Sequence, residues 1–153
     1  MLPIKKIICP TDFSDPSFEA LDVACELALH FSSELLVIHA VAPLPGLTTG
    51  HISPSFFDIP EFLKKMEESS KKLLEENVAK RVPKGISVRC MVIDGHPADQ
   101  IVETAEHENA DLIVIATRGQ TGLKRLVSGS VAEKVVRLST RPVLTIGGPP
   151  TKE

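Results

Sequence analysis

Leu112–Ala116, with the sequence LIVIA, is an uninterrupted apolar segment bounded by turn signals. This pattern is typical of a strand buried on both faces, and such strands occur in parallel sheets covered by helices. Four more strands are predicted around it, at Ile4–Cys9, Leu35–Ala40, Ile86–Val92 and Pro142–Ile146. Apolar and polar residues alternate in Ile86–Val92, which predicts that this strand lies near an edge of the sheet.

Helices are predicted between the strands. The first begins within Ser14–Pro16, where the serine or the aspartate can cap the helix and the proline suits the first helical position. The second helix is predicted over about Pro60–Arg81, the third begins at Pro97, and the fourth covers about Ser130–Leu138. The order β-α-β-α-β-α-β-α-β predicts an α/β fold: a single open five-stranded parallel sheet with right-handed crossovers and helices on both faces.

Helical spacing of apolar residues predicts which side of a helix faces the sheet. The Lys and Glu residues of the second helix are expected to form its solvated face. The inward side chains predicted in this way are Phe62, Met66, Leu73, Leu74 and Val78 in the second helix, and Val131, Val135 and Leu138 in the fourth.

Length and composition limit the class of protein. The chain has 153 residues, which is typical of one domain, predicted here at 1–148 with a tail at 149–153. Seventeen Lys and Arg against twenty Asp and Glu leave a formal charge of −3, which argues against binding nucleic acid through bulk charge. No apolar run approaches the ~20 residues of a membrane helix, and the N-terminus lacks the features of a signal peptide. A cytoplasmic protein is expected.

The three cysteines, Cys9, Cys25 and Cys90, are far apart and form no CxxC motif. They are expected to be small buried hydrophobic side chains in a reducing compartment. The histidines are scattered along the chain, so a metal cluster is not expected.

Prolines and glycines punctuate residues 43–60. They predict a long loop over one end of the sheet, and a loop of that length in a compact domain is either mobile or functional. A lid over a site and a tolerated insertion remain two open interpretations.

Two strand ends carry unusual sequence: Pro10–Asp12, and the loop from Ala116 to Ser130. Ligands of open parallel sheets bind beyond the carboxyl ends of the strands, where the direction of winding reverses. The loop contains three glycines and leads into a helix whose free N–H groups and partial positive charge suit a phosphate. It also carries three cations and no acid between residues 118 and 132. A phosphate site and an ordinary βα loop with a glycine turn both explain these features.

The standard phosphate and nucleophile motifs are absent from the sequence. Without G-x-x-x-x-G-K-[ST] the chain is not a P-loop NTPase, and without G-x-G-x-x-G classical dinucleotide binding is disfavoured. No G-x-S-x-G nucleophile elbow occurs either.

Five segments carry a resemblance to a known family: Lys5–Ser14, Val37–Ala40, Gly95–Pro97, Gly119–Val135 and Arg141–Leu144. Through them the chain resembles the universal stress protein family, whose fold is Rossmann-like and similar to that of adenine nucleotide alpha-hydrolases. The ATP-binding branch of that family carries Gly-x2-Gly-x9-Gly-[Ser/Thr]. Gly119, Gly129 and Ser130 match its later positions, whereas Ala116 replaces the first glycine and Arg118 replaces the usual histidine.

The resemblance implies an adenine nucleotide, ATP or AMP, at the carboxyl edge of the sheet. At the adenosine end, the side chain of Asp12 would hydrogen-bond the base or the ribose, and the backbone of Ala40 would read the adenine. The residues implied at this end are Pro10, Thr11, Asp12, Ala40, Ile115 and Ala116.

For the phosphate end, the resemblance implies contacts made mainly by backbone N–H groups. A Mg or Mn ion would be held by the phosphates and not by a protein cage. The residues implied at this end are Arg118, Gly119, Gly129, Ser130 and Val131.

Several candidate residues have a purely structural explanation as well. Asp12 is also explained as a turn residue beside a helix start, and Ser130 as a helix N-cap, which is compatible with phosphate binding. His39 lies in an apolar strand and is expected to be a satisfied core or interface group, and His96 is expected to be a turn residue.

The leading functional hypothesis is a cytosolic stress-response regulator that binds ATP or AMP and acts on unknown protein partners. The resemblance implies a homodimer, with Pro142–Ile146 as the expected interface because pairing hides an exposed strand edge. One alternative is a dimeric interaction module of the same fold without nucleotide, which Ala116 favours. Another is an ATPase, with slow or no turnover expected because Asp12 belongs at the adenosine end.

Overall fold

The computed structural model describes residues 3–42, 59–117 and 131–147. Within these ranges, strands and helices alternate along the chain, and all neighbouring strands pair in parallel. The sheet has five strands in the order β3-β2-β1-β4-β5, which confirms the predicted α/β fold. The elements are β1 Lys6–Pro10, α1 Asp15–Phe31, β2 Glu34–Val41, α2 Ile59–Arg81, β3 Val88–Asp94, α3 Pro97–His107, β4 Leu112–Ala116, α4 Val131–Leu138 and β5 Val143–Ile146.

Two apolar cores lie on opposite faces of the sheet, because successive side chains of a strand point to opposite sides. In β1, Ile7 and Cys9 belong to the core beneath α1 and α2, whereas Ile8 belongs to the core beneath α3 and α4. Ile113–Ile115 are buried in the same alternating way, so β4 is the two-sided strand that its sequence predicts.

The edge strands are β3 and β5. The edge position of β3 is confirmed, but the strand runs from Val88 to Asp94, two residues later than predicted. The difference arises because Ile86 donates its N–H to the Pro83 carbonyl in a turn, and because β2 continues to Val41 and pairs with Asp94.

The predicted apolar face of α2 is only half correct. Leu74 and Val78 are buried in the core, whereas Phe62 and Leu73 are exposed. With 23 residues, α2 is about 35 Å long, and no strand it packs against exceeds eight residues, or about 26 Å. The helix is therefore longer than the sheet beneath it, and its buried side chains lie in its C-terminal half.

The prediction for α4 is wrong for two of three residues. Val135 is buried together with Ala132, but Val131 and Leu138 are exposed. At about 100° per residue, the midpoint between Ala132 and Val135 lies about 70° around the helix from Val131. The apolar pattern therefore predicted the helix correctly, but it centred the buried face near Val131 instead of between Ala132 and Val135.

An ion-pair network closes the amino end of the sheet. Lys6 Nζ lies 2.9 Å from a Glu108 carboxylate oxygen and 3.7 Å from Glu34, and the Arg89 guanidinium bonds both of these carboxylates. The hydrogen bonds from Arg89 and then Lys6 lower the pKa of Glu108. This network connects β1, β2 and β3 to the end of α3. It lies at the amino end of the strands, opposite the candidate site at their carboxyl ends.

Candidate functional site

The carboxyl ends of β1 and β4 form the switch point of the sheet. β1 pairs with β2 on one side and with β4 on the other, in parallel register (Ile8 opposite Ile113). Chains of this topology leave a crevice where the neighbouring connections diverge to opposite faces. Pro10–Asp12 and Ile115–Ala116, which the sequence predicts as site residues, end these two adjacent strands.

Thr11 is buried, with 6% of its surface exposed, and its polar groups are engaged inside the protein. Its N–H donates to the Ile38 carbonyl at 2.8 Å. Ser17 donates its hydroxyl hydrogen to the Ser14 carbonyl, so the 2.9 Å bond between the Thr11 and Ser17 hydroxyls is donated by Thr11. The Thr11 oxygen also accepts the N–H of Phe13 at 3.1 Å. Thr11 therefore builds the turn and has no remaining hydrogen-bond donor for a ligand.

Asp12 is half-buried at the start of α1. Its Oδ1 accepts the Ser14 N–H at 3.1 Å and also the Ser14 hydroxyl, and Ser14 in turn caps the helix by accepting from Ser17. The structure therefore assigns the capping role to Ser14 rather than Asp15. The partial positive charge of the helix N-terminus stabilises a carboxylate at this position. Asp12 is thus held in one orientation by the turn.

Phe13 completes the turn in the left-handed region, with φ 65°. The His39 ring packs against it with a centroid distance of 4.4 Å, and His39 Nδ1 lies 2.8 Å from the Thr11 carbonyl oxygen. The predicted role of His39 as a satisfied group is consistent with this bond. Sequence reasoning missed the contacts of Phe13 and Ser17, because nothing in a Phe-Ser pair signals a positive φ.

β2 contributes the third strand end of this edge. Ala40 is half-buried near the end of β2, beside the Thr11 turn that bonds Ile38. The Val41 carbonyl accepts the N–H of Gly95 at 3.0 Å, so the Gly95–Pro97 turn also belongs to this edge. The structure therefore brings Ala40 to the same end of the sheet as Pro10–Asp12.

The end of β4 is packed from both sides. Ile115 belongs to the core beneath α3 and α4, and Ala116 packs against the core beneath α1 and α2. Thr117 then donates its N–H to the Ile146 carbonyl at 2.9 Å. Of the predicted phosphate residues, Val131 begins α4 and is exposed, whereas Arg118, Gly119, Gly129 and Ser130 lie outside the described residues.

A cavity of about 210 Å³ lies between α4 and β5. Its walls include Thr117, Thr145, Ala132 and the acidic Glu133. Thr117 precedes the 118–130 segment, so the cavity adjoins one end of that segment. The cavity lies beside β5 and not at the switch point between β1 and β4, so the Asp12 turn remains the better candidate site.

The thiols of Cys9 and Cys25 are poor nucleophiles. Burial raises the pKa of Cys9, which precedes the turn, well above its usual range, and raises that of Cys25 to about 11. The predicted burial of both side chains is confirmed, and Cys90 is half-buried.

In the described ranges, no three His, Cys, Asp or Glu side chains are grouped to hold a metal ion. Nor is any helix in them long and apolar enough to cross a membrane.

Comparison with known proteins identifies similar chains over nearly the whole length. Universal stress protein MJ0531 of Methanocaldococcus jannaschii is 38% identical over 147 residues, covering 95% of this chain and 83% of its own. Universal stress protein YxiE of Bacillus subtilis is 36% identical over 145 residues, covering 92% of this chain and 97% of its own. The solved structure of MJ0577 is 29% identical, covers 97% of this chain and 99% of its own, and superposes with a TM-score of 0.77.

Two further solved structures share the fold at lower identity. A universal stress protein in complex with cAMP is 24% identical, covers 94% of this chain and 97% of its own, and has a TM-score of 0.69. The universal stress protein from Archaeoglobus fulgidus in complex with dAMP is 24% identical, covers 95% of this chain and 98% of its own, and has a TM-score of 0.62. Residues 3–147 match the sequence profile of the Universal stress protein family. With this match, the curated relatives and the sheet order, the chain belongs to the universal stress protein family.

Proposed function

We propose that this protein binds an adenine nucleotide, ATP or AMP, between the carboxyl ends of β1 and β4, and acts as a homodimeric stress-response regulator in the cytoplasm. The observation that carries the proposal is the turn after β1, where a carboxylate is oriented by hydrogen bonds at the N-terminus of α1. This turn lies at the switch point, and the Gly119-x9-Gly129-Ser130 motif follows the neighbouring strand.

At the adenosine end, Asp12 is the proposed hydrogen-bond acceptor. Ribose hydroxyls and the adenine amino group are donors, and an ionised carboxylate only accepts. Because Ser14 already orients the carboxylate, little freedom is lost when the ligand binds. The backbone of Ala40 lies at the adjacent strand end, where it can read the adenine edge. Pro10 and Thr11 form the wall, and Ile115 and Ala116 are the proposed floor.

At the phosphate end, the proposed ligands are the backbone N–H groups that lead into α4. A helix N-terminus offers unpaired donors and a partial positive charge, and glycines allow close approach of the backbone. Mg or Mn bound with the nucleotide would be coordinated mainly by the phosphates. The proposed residues are Arg118, Gly119, Gly129, Ser130 and Val131.

The fold itself accommodates adenine nucleotides, since two universal stress proteins of this fold hold cAMP and dAMP. Both are too distant to carry a ligand over to this chain by similarity. They support the class of ligand, and the residues at the switch point support the assignment to this protein.

Isothermal titration of nucleotide-free protein with Mg-ATP tests the proposal. Micromolar binding, worth about −8 kcal/mol, is expected. Gly129→Arg should abolish it, because the added side chain fills the space proposed for the phosphates. Ser87→Arg is the matched control, since it adds the same side chain at an exposed position before β3, at the amino end of the sheet. Equal binding by wild type and Gly129→Arg refutes the phosphate site.

The proposed dimer interface is the last strand, Pro142–Ile146. The structure begins this strand at Val143 and gives it an edge of the sheet. Leu144 on this strand is 37% exposed, and Val136 on the adjacent α4 is also exposed. Pairing with a second copy would cover both the open edge and these side chains. Sedimentation should therefore give a dimer for wild type and a monomer for Leu144→Glu; a dimeric variant rejects this interface.

A second candidate function is a dimeric interaction module that binds no nucleotide. The methyl group of Ala116, where the ATP-binding pattern has glycine, packs against the core at the floor of the proposed site. The titration separates the two functions: no heat with ATP and no competition by AMP favours the module.

Under the leading proposal, ATP turnover is slow or absent, because Asp12 serves the adenosine end. Rapid phosphate release that Gly129→Arg abolishes would indicate an ATPase instead.

A further inference from the structure

We propose that His39 is a positioning residue for the adenosine end of the site. The inference rests on the proposed function, since it concerns how the same site is kept ready for its ligand. By this proposal, the His39 side chain holds the turn Thr11–Ser14 in the conformation that presents Asp12 to the nucleotide.

The turn needs support from outside itself. Phe13 adopts φ 65°, a left-handed conformation that is unfavourable for a residue with a side chain. Within the turn, Thr11 Oγ1 and Asp12 Oδ1 each accept one backbone N–H at 3.1 Å. Strained backbone persists only where the surroundings over-determine it, and such strain is concentrated at functional sites.

His39 contacts the turn at two points. Its Nδ1 lies 2.8 Å from the Thr11 carbonyl oxygen, and its ring packs on Phe13 at a centroid distance of 4.4 Å with a 40° angle between the planes. His39 itself is fixed, because β2 pairs with β1 on one side and with β3 on the other, where His39 lies opposite Val92. β2 is thus connected directly to Thr11 and to the strained residue Phe13.

The contact also determines which ring nitrogen carries hydrogen. A carbonyl oxygen only accepts, so Nδ1 must be the donor, and in the neutral ring Nε2 is then the acceptor. Without this donor, the Thr11 carbonyl loses its side-chain partner, and the peptide between Thr11 and Asp12 loses a restraint from outside the turn. Asp12 would keep its bonds to Ser14, but the turn that carries it would be held less firmly against β2.

Two substitutions separate the two contacts. His39→Phe keeps a ring against Phe13 and removes the donor, whereas His39→Asn keeps an amide N–H near the Nδ1 position and removes the ring. By titration of nucleotide-free protein, His39→Phe should weaken AMP and ATP binding by the same factor, about tenfold, because both share the adenosine. His39→Asn should lose less. Val78→Ala, which removes buried atoms beneath α2, is the control for lost stability and should bind AMP as wild type does.

The outcomes distinguish this inference from the function on which it rests. If wild type binds no adenine nucleotide, the proposed function fails and the inference with it. If wild type binds AMP and His39→Phe binds it equally well, the positioning role fails while the function stands. Equal losses in His39→Phe and Val78→Ala also overturn it. Should His39→Phe not fold, the ¹⁵N signals of the wild-type imidazole decide: a proton on Nδ1 is expected, and an Nε2-protonated neutral ring contradicts the proposal.

Discussion

Replacing Thr11 by valine removes the hydroxyl that organises the turn while keeping the shape of the side chain. In the structure, this hydroxyl donates to Ser17 Oγ at 2.9 Å and accepts the Phe13 N–H at 3.1 Å. Each bond contributes about 1 kcal/mol net to stability. Thr11→Val is therefore expected to lower the free energy of unfolding by about 2 kcal/mol, because both bonds are lost and their partners stay in place.

Thr11→Ser is the matched control, because it keeps the hydroxyl and loses one buried methyl group. That loss costs about 1 kcal/mol, so the serine variant should be the more stable of the two. Urea unfolding followed by circular dichroism measures both values. The reasoning is refuted if Thr11→Val unfolds at the wild-type midpoint, or if Thr11→Ser is the less stable variant.

Further predictions concern positions away from the turn. The hydrogen bond from Arg89 is the main cause that lowers the pKa of Glu108 in the folded protein. The stabilisation that the ionised Glu108 contributes is therefore complete above its pKa in the unfolded chain, about 4.3, and is lost as the pH falls through the lowered pKa of the folded protein. Glu108→Gln should therefore cost about 1 kcal/mol at pH 7 and flatten the acid limb of the stability–pH curve; an unchanged limb contradicts this. Gly95→Ala should lower the melting temperature, since φ is 137° and a Cβ would lie 2.7 Å from Gln100 Cγ; a wild-type melting temperature argues against strain at this turn. Burial raises the pKa of Cys25 to about 11, so its thiol should react with iodoacetamide at pH 8 far more slowly than free cysteine; a matching rate would contradict the burial of this side chain.

The sequence was sufficient for the elements whose local signals agree with their tertiary environment. Leu112–Ala116 is β4 with the predicted bounds, and α3 begins at Pro97. Both segments have sharp boundaries, set by turn residues in one case and by proline in the other. The edge position of β3 was also predictable, because alternation of polar and apolar residues reports exposure of one face.

Long-range packing explains what the sequence could not predict. Phe62 has the helical spacing of a buried residue, but a helix longer than its sheet leaves its N-terminal part uncovered. Leu73 is exposed for another reason: it lies about 100° around the helix from its buried neighbour Leu74. The Asp12 position was predictable from its strand end. The bond from His39 to the Thr11 carbonyl was not, because it joins residues 28 apart in sequence through a strand pairing.

Amide chemical-shift mapping during titration of ¹⁵N-labelled protein with AMP tests the central claim most directly, since it reports where the nucleotide binds. The account predicts that the largest shifts fall on Thr11–Ser14, Ala40 and Ala116–Gly119, with ATP adding shifts at Gly129–Val131. Shifts confined to the amino end of the sheet, around Arg89 and Glu108, or no shifts with either nucleotide, would contradict it.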